Sequence, residues 1–180
     1  MNESTNSFDL SLDYGIGYDN QGRKFYFDKE DYEKIKDFYW RVHQHNYVST
    51  SIYNYDTKKR TQIQLHRFIM NPLPNQEVDH INHNPFDNRK SNLRIVSTSQ
   101  NQMNTIVSSR NTSGIKGVNW DITSNKWRAR ICIDGKRISL GCFDSIEMAS
   151  EAREEAEKRY YGEYRYNQKM ITETTDHLEI

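Results

Sequence analysis

Residues 78 to 104, VDHINHNPFDNRKSNLRIVSTSQNQMN, constrain the fold of this chain more than any other stretch. Their polar residues are too many and too ordered for a loop, and too poor in apolar spacing for an amphipathic helix. Glu77 to Ile81 reads as a short β run carrying the adjacent pair Asp79 and His80. A turn-rich connection through Asn82, Asn84, Pro85, Asp87 and Asn88 follows, then a second β run from Leu93 to Val96. Ser97 or Ser99 then caps a helix carrying Gln100, Asn101 and Asn104. Strand, loop, strand and helix in so short a run bury little apolar surface, so something other than a core must fix the polar groups. A divalent metal and a phosphate would do so.

The residue types fit phosphodiester hydrolysis, which needs an activated water, charge neutralisation on the phosphate and a stabilised leaving oxygen. Asp79 offers a carboxylate and Asn101 an amide oxygen to a hard cation, while His80, titrating near neutrality, can take a proton from water. Asn92 either orients His80 through its other ring nitrogen or holds the loop, and Arg89, Lys90 and Arg94 serve phosphates. An Asp-His pair on its own is usually a surface accident. Adjacent strand residues also point to opposite faces, so Asp79 and His80 share a site only if the strand ends or bends there. His66, in LHRFIM, reads as a structural histidine rather than a second base, and His83 as exposed. A structural zinc site on His66, His80 and His83 is a remote third reading, because no paired cysteines accompany them.

Before this stretch the sequence reads as a small α+β support layer over residues 1–64. Residues 1 to 10 are polar and expected to fray. Tyr14 to Phe27 breaks at Asn20–Gly22 and reads as a hairpin. Asp28 then reads as the N-cap of a helix, DKEDYEKIKDFYW, with Tyr32, Ile35 and Tyr39 on one face. Tyr47 to Tyr53 and Thr61 to Leu65 are β-like, joined by the basic turn DTKKR; His43 and His45 alternate there without further metal ligands. No run approaches the roughly eighteen apolar residues of a membrane span. The N-terminus MNESTNSFDL lacks the regions of a signal peptide, so a cytosolic protein with no membrane partner is expected. Cys132 and Cys142 offer no CxxC.

After the central stretch, residues 108–113 form a linker, 114–166 a second unit, and 167–180 an acidic tail expected to be disordered. Asp134-Gly135 is a two-residue hairpin signal that fixes a register. Ile133 then faces Lys136, Cys132 faces Arg137, Ile131 faces Ile138, Arg130 faces Ser139 and Ala129 faces Leu140. One face is therefore Ala129, Ile131, Ile138 and Leu140, and the other Arg128, Arg130, Arg137 and Ser139. Cys142 falls near Trp127, away from Cys132, so the thiols do not bridge. A preceding strand, IKGVNW, adds Lys116 and Trp120. Asp144 and Glu147 make a capping-box pattern for a helix whose apolar stripe is Met148, Ala152 and Ala156. The chain has a formal net charge of zero. Residues 114–143 nonetheless hold six Lys or Arg against two Asp, and residues 144–159 six acids against three bases. A basic sheet face with its acid placed behind is an electrostatic footprint for nucleic acid.

The run LHRFIMNP…VDHINHNPFDNRKSNLRIVSTSQNQMN resembles the HNH endonucleases of the ββα-metal fold, in the variant common among phage and intron-encoded homing enzymes. The match covers roughly residues 65–104 and rests on the ordered series DH, DNR, NLR and QN. The resemblance implies a nuclease core over 65–107, with Asp79 as metal-binding acid and His80 as general base. Asn92 matches the central asparagine and Asn101 the third position, where other branches have histidine. Such a donor set suits Mg2+, or another hard cation such as Mn2+, better than Zn2+. Residues 113–166 resemble the plant ethylene-response-factor (APETALA-type) DNA-binding domain through SGIKGVNWD, NKWRARICIDGKRISLGCFD and the Ala-rich helix ending YYGEY. That resemblance implies a three-stranded antiparallel sheet packed on one helix and laid in the major groove. The matching positions are Lys116, Asn119, Arg128, Arg130, Arg137 and Ser139, of which Asn119 and Ser139 depart from the plant pattern.

An α+β chain is thus expected, acting as a site-directed DNA endonuclease on double-stranded DNA and belonging to a phage or mobile element. No obligate protein partner is evident. One active site cuts one strand, so a double-strand break would require a dimer on DNA or two events. The alternative is a catalytically silent DNA-binding regulator using the same sheet.

Overall fold

A computed structural model describes residues 5–43, 47–105, 107–108 and 110–165. The expectations for residues 1–4, His45 and the tail 167–180 lie outside the described residues. The architecture is α+β, with several small antiparallel sheets and few helices. The chain divides into two compact units, one up to Val96 and one from Ser97 onward.

In the first unit, β1 (Ser7–Asp9), β2 (Tyr14–Tyr18) and β3 (Lys24–Asp28) form one sheet in chain order. Gly15 pairs with Phe27 and Gly17 with Phe25. The fully buried rings lie over these glycines, where any Cβ would collide with them. The expected fraying up to residue 10 does not hold, because Ser7–Asp9 pairs with β2. Phe8 meets Phe25, Phe27 and Tyr32 edge-on, at ring centroids of 6.3, 5.8 and 5.3 Å. One aromatic residue in a polar run is enough to anchor it.

The helix expected from Asp28 is much shorter: a 3-10 turn Lys29–Asp31 and α1, Tyr32–Ile35. Its stop is chemical, because the Ile35 carbonyl accepts from Phe38 N at 3.1 Å and from Trp40 Nε1 at 2.9 Å. Burying Trp40 takes the acceptor that a continuing helix would use. Next come β4 (Arg41–Val42), β5 (Val48–Asn54) and β6 (Lys59–Gln64), a three-stranded sheet, and α2 (Leu65–Met70). One core joins these elements through Phe25, Phe27, Ile35, Trp40, Val48 and Leu65. The hairpin β7 (Glu77–His80) and β8 (Leu93–Val96) matches the expected β runs.

In the second unit Ser97 caps α3 (Thr98–Met103) in a full capping box with Gln100. The strands β9 (Val118–Asp121), β10 (Lys126–Ile133) and β11 (Lys136–Phe143) form an antiparallel sheet in chain order. Asp134 and Gly135 turn the hairpin with φ of 48° and 76°, both left-handed as a type I′ turn requires. The expected register holds from Ile133–Lys136 to Arg130–Ser139. A bulge then makes Leu140 the extra residue, so Ala129 faces Gly141, and Cys142 faces Arg128 instead of lying near Trp127. Both thiols are free and exposed.

Ser145, not Asp144, caps α4 (Ile146–Tyr160), its Oγ accepting from Met148 N at 3.2 Å. The buried stripe is Ala149, Arg153 and Ala156, while Met148 is exposed. Arg153 donates to the Arg130 carbonyl and pairs with Glu157 at 2.7 Å. Gly117 sits at φ 76° directly against these groups: a Cβ there would overlap the Arg130 carbonyl and meet Arg153 Nη1 at 2.7 Å. Gly114 also has a left-handed φ, 71°, but open space around it. Gly114→Ala is therefore expected to cost about 1 kcal/mol of backbone strain, and Gly117→Ala about 2 kcal/mol more for the overlap. Urea unfolding of both variants measures the difference, and equal losses would show that the close approach relaxes freely.

Candidate active site

The hairpin β7–β8 and the loop between its strands build the site. His80 is the last residue of β7, so the strand ends where the sequence needed it to. Asp79 pairs across the hairpin with Arg94, whose Nε and Nη2 donate to Oδ2 at 2.9 and 2.8 Å. His80 instead enters a cage of rings. Tyr47 stacks on it at 5.7 Å with planes 20° apart, and His66 meets it edge-on at 4.9 Å. Tyr47 also meets His66, at 4.7 Å.

Burial lowers the His80 pKa, while the Asn88 amide and the carboxylates of Asp79 and Asp87 push it upward less strongly. The imidazole is therefore unprotonated at neutral pH, the state a general base requires. His66 is pushed further, down to about 3, first by burial and then by His80 and Arg67. Its Nδ1 is buried without a hydrogen-bond partner among the described residues. These features fit the expected structural role for His66. His66, His80 and His83 do not form a three-ligand metal group.

Asn92 takes the second of its two expected roles. Its Oδ1 accepts from Asn82 N at 3.0 Å and its Nδ2 donates to the Asp87 carbonyl at 2.8 Å, so it braces the loop. Asn88 is the asparagine that faces His80. It is fully buried, although its place in a turn-rich run gave only the sign of a turn former. Tyr47, just before β5 and far upstream, carried no signal of a site residue. Arg89, expected to serve phosphates, is engaged by Asp87, to which its Nε and Nη2 both donate at 2.7 Å. Lys90 is held by Glu30 and Asp31, and Arg94 by Asp79. In each case a carboxylate takes the charge.

A hard divalent cation wants oxygen donors and negative charge. Asp79, a buried carboxylate one residue from a neutral imidazole, supplies both, and the Arg94 guanidinium already provides positive charge at the same oxygen. The donor chemistry therefore fits, with Arg94 as a competitor for the carboxylate. Asn101 belongs to the second unit, on α3, where its N–H donates to the Ser97 carbonyl at 3.0 Å.

The second unit presents Asn119, Lys126, Arg128, Arg130, Arg137 and Ser139 on one sheet face, as their cross-strand pairing requires. Asp121 shares that face and pairs with Arg128. Lys116 does not join them. It precedes β9, and its Nζ donates to the carbonyls of Gln102, Met103 and Thr105 at 3.0–3.1 Å and to Thr105 Oγ1 at 2.8 Å, closing the end of α3.

Residues 69–103 match the family model described as HNH endonuclease. Over 92 residues the chain is 30% identical to Protein 3.8 of Escherichia phage T7, covering 51% of this chain and 76% of that protein. Over 117 residues it is 31% identical to the HNH endonuclease L560 of Acanthamoeba polyphaga mimivirus, covering 62% of this chain and 58% of that protein. The chain thus spans a little over half of the mimivirus relative. No solved structure matches it. Among the described residues no helix is long and apolar enough to cross a membrane.

The charges of the hairpin bear directly on its stability. Removing one partner of a buried ion pair strands the other charge, so Arg94→Ala is expected to lose about 3–5 kcal/mol in urea unfolding. A loss under about 1 kcal/mol would show that water screens Asp79. For His66 the folded pKa lies below the unfolded value of 6.5, so the unfolded chain takes the proton first. Its contribution is complete above pH 6.5 and is lost as pH falls from there toward 3. His66→Phe is expected to flatten unfolding stability over that window relative to wild type, and parallel profiles would refute a neutral, buried His66.

Proposed function

The chain belongs to the HNH endonuclease family, and on that footing we propose a site-directed DNA endonuclease of the homing type, with His80 as its general base. The observation that carries this reading is the state of His80: buried, caged by Tyr47 and His66, and held unprotonated at neutral pH beside a carboxylate. In this mechanism His80 takes the proton of the water that attacks the phosphorus. Asn88 orients its ring, and Asn92 keeps the loop from shifting beneath it. Asp79, with Asn101 as a second oxygen donor on the strength of the family's motif, would hold one divalent cation, Mg2+ or Mn2+, whose chemistry when bound is to neutralise the phosphate and the leaving 3′-oxygen. Arg94 keeps the Asp79 carboxylate in one orientation.

Targeting falls to the sheet of the second unit, which resembles the ethylene-response-factor domain. Asn119, Arg128, Arg130, Arg137 and Ser139 would meet the duplex, and arginine paired to guanine would supply sequence choice. This reading leaves Lys116 out of that set, because its Nζ bonds the carbonyls at the end of α3. A monomer with one such site nicks.

A second reading, a DNA-binding regulator without cleavage, draws support from the Arg94–Asp79 ion pair, which occupies the carboxylate a cation would need. Supercoiled plasmid incubated with wild type or His80→Ala, with and without Mg2+, separates the two. Wild type is expected to yield open circles only with metal, and the variant to be slower by about 10²–10⁴-fold. Linear product would indicate paired sites. If neither protein converts plasmid while both bind duplex DNA in a salt-dependent way, the regulator reading replaces this one.

A further inference from the structure

We propose that the β4–β5–β6 sheet of the first unit is a second duplex-binding surface, meeting DNA phosphates through Arg41, Lys58, Lys59 and Arg60. The inference rests on DNA as the substrate but not on catalysis. It begins with a segregation of charge. Residues 5–40 hold eight acids and five bases, whereas residues 41–64 hold four bases and one acid, Asp56. Pairing sharpens the contrast. Arg23, Arg89 and Arg94 each sit on a carboxylate, at 2.6, 2.7 and 2.8 Å. Arg41, Lys58, Lys59 and Arg60 make no ion pair among the described residues.

The register collects hydrogen-bonding groups beside Arg41 and Arg60, while Lys59, paired with Asn54, lies on the other side of the ribbon. Arg41 faces Ser49, Ser51 faces Gln62 and Tyr53 faces Arg60, so all six share one side of the sheet. Among the described residues of the three strands, that side carries no carboxylate and no aliphatic side chain. A groove of about 610 Å³ runs along it, lined by Arg41, Ser51, Arg60 and Gln62 together with Tyr39, and with Asp37 as its one acid. Hydroxyl, amide and guanidinium donors in this mixture are the groups that bond phosphate oxygens. A protein partner would want a broad apolar centre to its interface, whereas on this side of the strands Tyr53 stands among Ser, Gln and Arg side chains.

The outer half of the β5–β6 hairpin is the second observation. From Tyr53 to Gln62 every residue is exposed, Tyr55 at 84%, and the only ring support among the described residues is the edge-on contact of Tyr53 with Tyr55 at 4.9 Å. Lys58 holds the tip with a left-handed φ of 53°, and Asn54 Oδ1 accepts from Thr57 N at 2.8 Å. A two-stranded ribbon with neither face packed contributes little to the fold on its own. A ribbon of this width enters the major groove, where its tip cations reach both backbones.

The test is binding of a fluorescent random-sequence duplex to the full chain, without divalent metal, across a series of KCl concentrations. The variants are Arg41→Gln/Lys58→Gln/Lys59→Gln/Arg60→Gln, the tip pair Lys58→Gln/Lys59→Gln, and the charge-preserving pair Arg41→Lys/Arg60→Lys. The quadruple variant is expected to flatten the slope of log affinity against log salt by about 0.9 for each phosphate it no longer neutralises. The tip pair, which lies in solvent and cannot disturb the core, should flatten it part of the way, and the lysine pair should match wild type. Unchanged slopes for both glutamine variants, with wild type still binding, would overturn this inference and leave the nuclease reading intact. No duplex binding by wild type at any salt would overturn both.

Discussion

The buried carboxylate of Asp87 is the interaction on which the β7–β8 hairpin and its loop depend. It takes two guanidinium bonds from Arg89 and one from the Asn82 amide at 3.3 Å, while its own carbonyl accepts from Asn92. The loop so braced is then sewn to the neighbouring sheet. Tyr26 N donates to the Phe86 carbonyl and Asn88 N to the Tyr26 carbonyl, both at 2.8 Å, and Lys90 N donates to Asp28 Oδ2 at 2.7 Å. A run with this composition cannot be ordered by apolar burial. A network of polar groups bonded to one another orders it, because in a low-dielectric setting each such bond left unmade is costly. The glycines of β2 matter for the same reason, since they let Phe25 and Phe27 seat β3 where the loop can dock.

The local grammar of the site was legible in the sequence. The strand end at Val96 and the Asp134-Gly135 turn rest on neighbours within a few residues and stand as read. The first strand stops at His80, one residue short of the expected Ile81, and of the two candidate caps Ser97 takes the place. What was not legible depends on partners distant along the chain. Nothing near Trp40 announces that its indole will claim the Ile35 carbonyl and stop a helix. Nothing near Lys116 announces that three carbonyls of the α3 terminus will surround it. The bulge at Leu140 is a subtler case, since the hairpin signal fixes pairing near the turn and one glycine with φ of 131° resets it further along.

The same distinction governs charge. A formal net charge of zero argues against nucleic acid, and the basic residues of the DNR and NLR motifs argue for it, yet neither count separates a cation already engaged from one left in solvent. Pairing does. Arg89 and Arg94 are engaged inside the hairpin, where they fix Asp87 and Asp79. Arg137, by contrast, stands exposed on its strand without an ion pair among the described residues. A guanidinium already bonded to a buried carboxylate gains little from a phosphate, because reaching it would strand the carboxylate.

Adjacent residues on a strand face opposite ways, which sets Asp79 and His80 at odds as partners in one cage. The hairpin turns this into a division of roles. Asp79 reaches across to the Arg94 guanidinium, while His80 turns into the rings of Tyr47 and His66, where burial lowers its pKa. Had both side chains shared one polar cage, the carboxylate would have held the imidazole protonated and useless as a base. Burial among rings outweighs the pull of Asp79 and Asp87, so the net shift is downward. The strand's end at His80 then leaves an ion-paired carboxylate and a buried imidazole as sequence neighbours in separate environments.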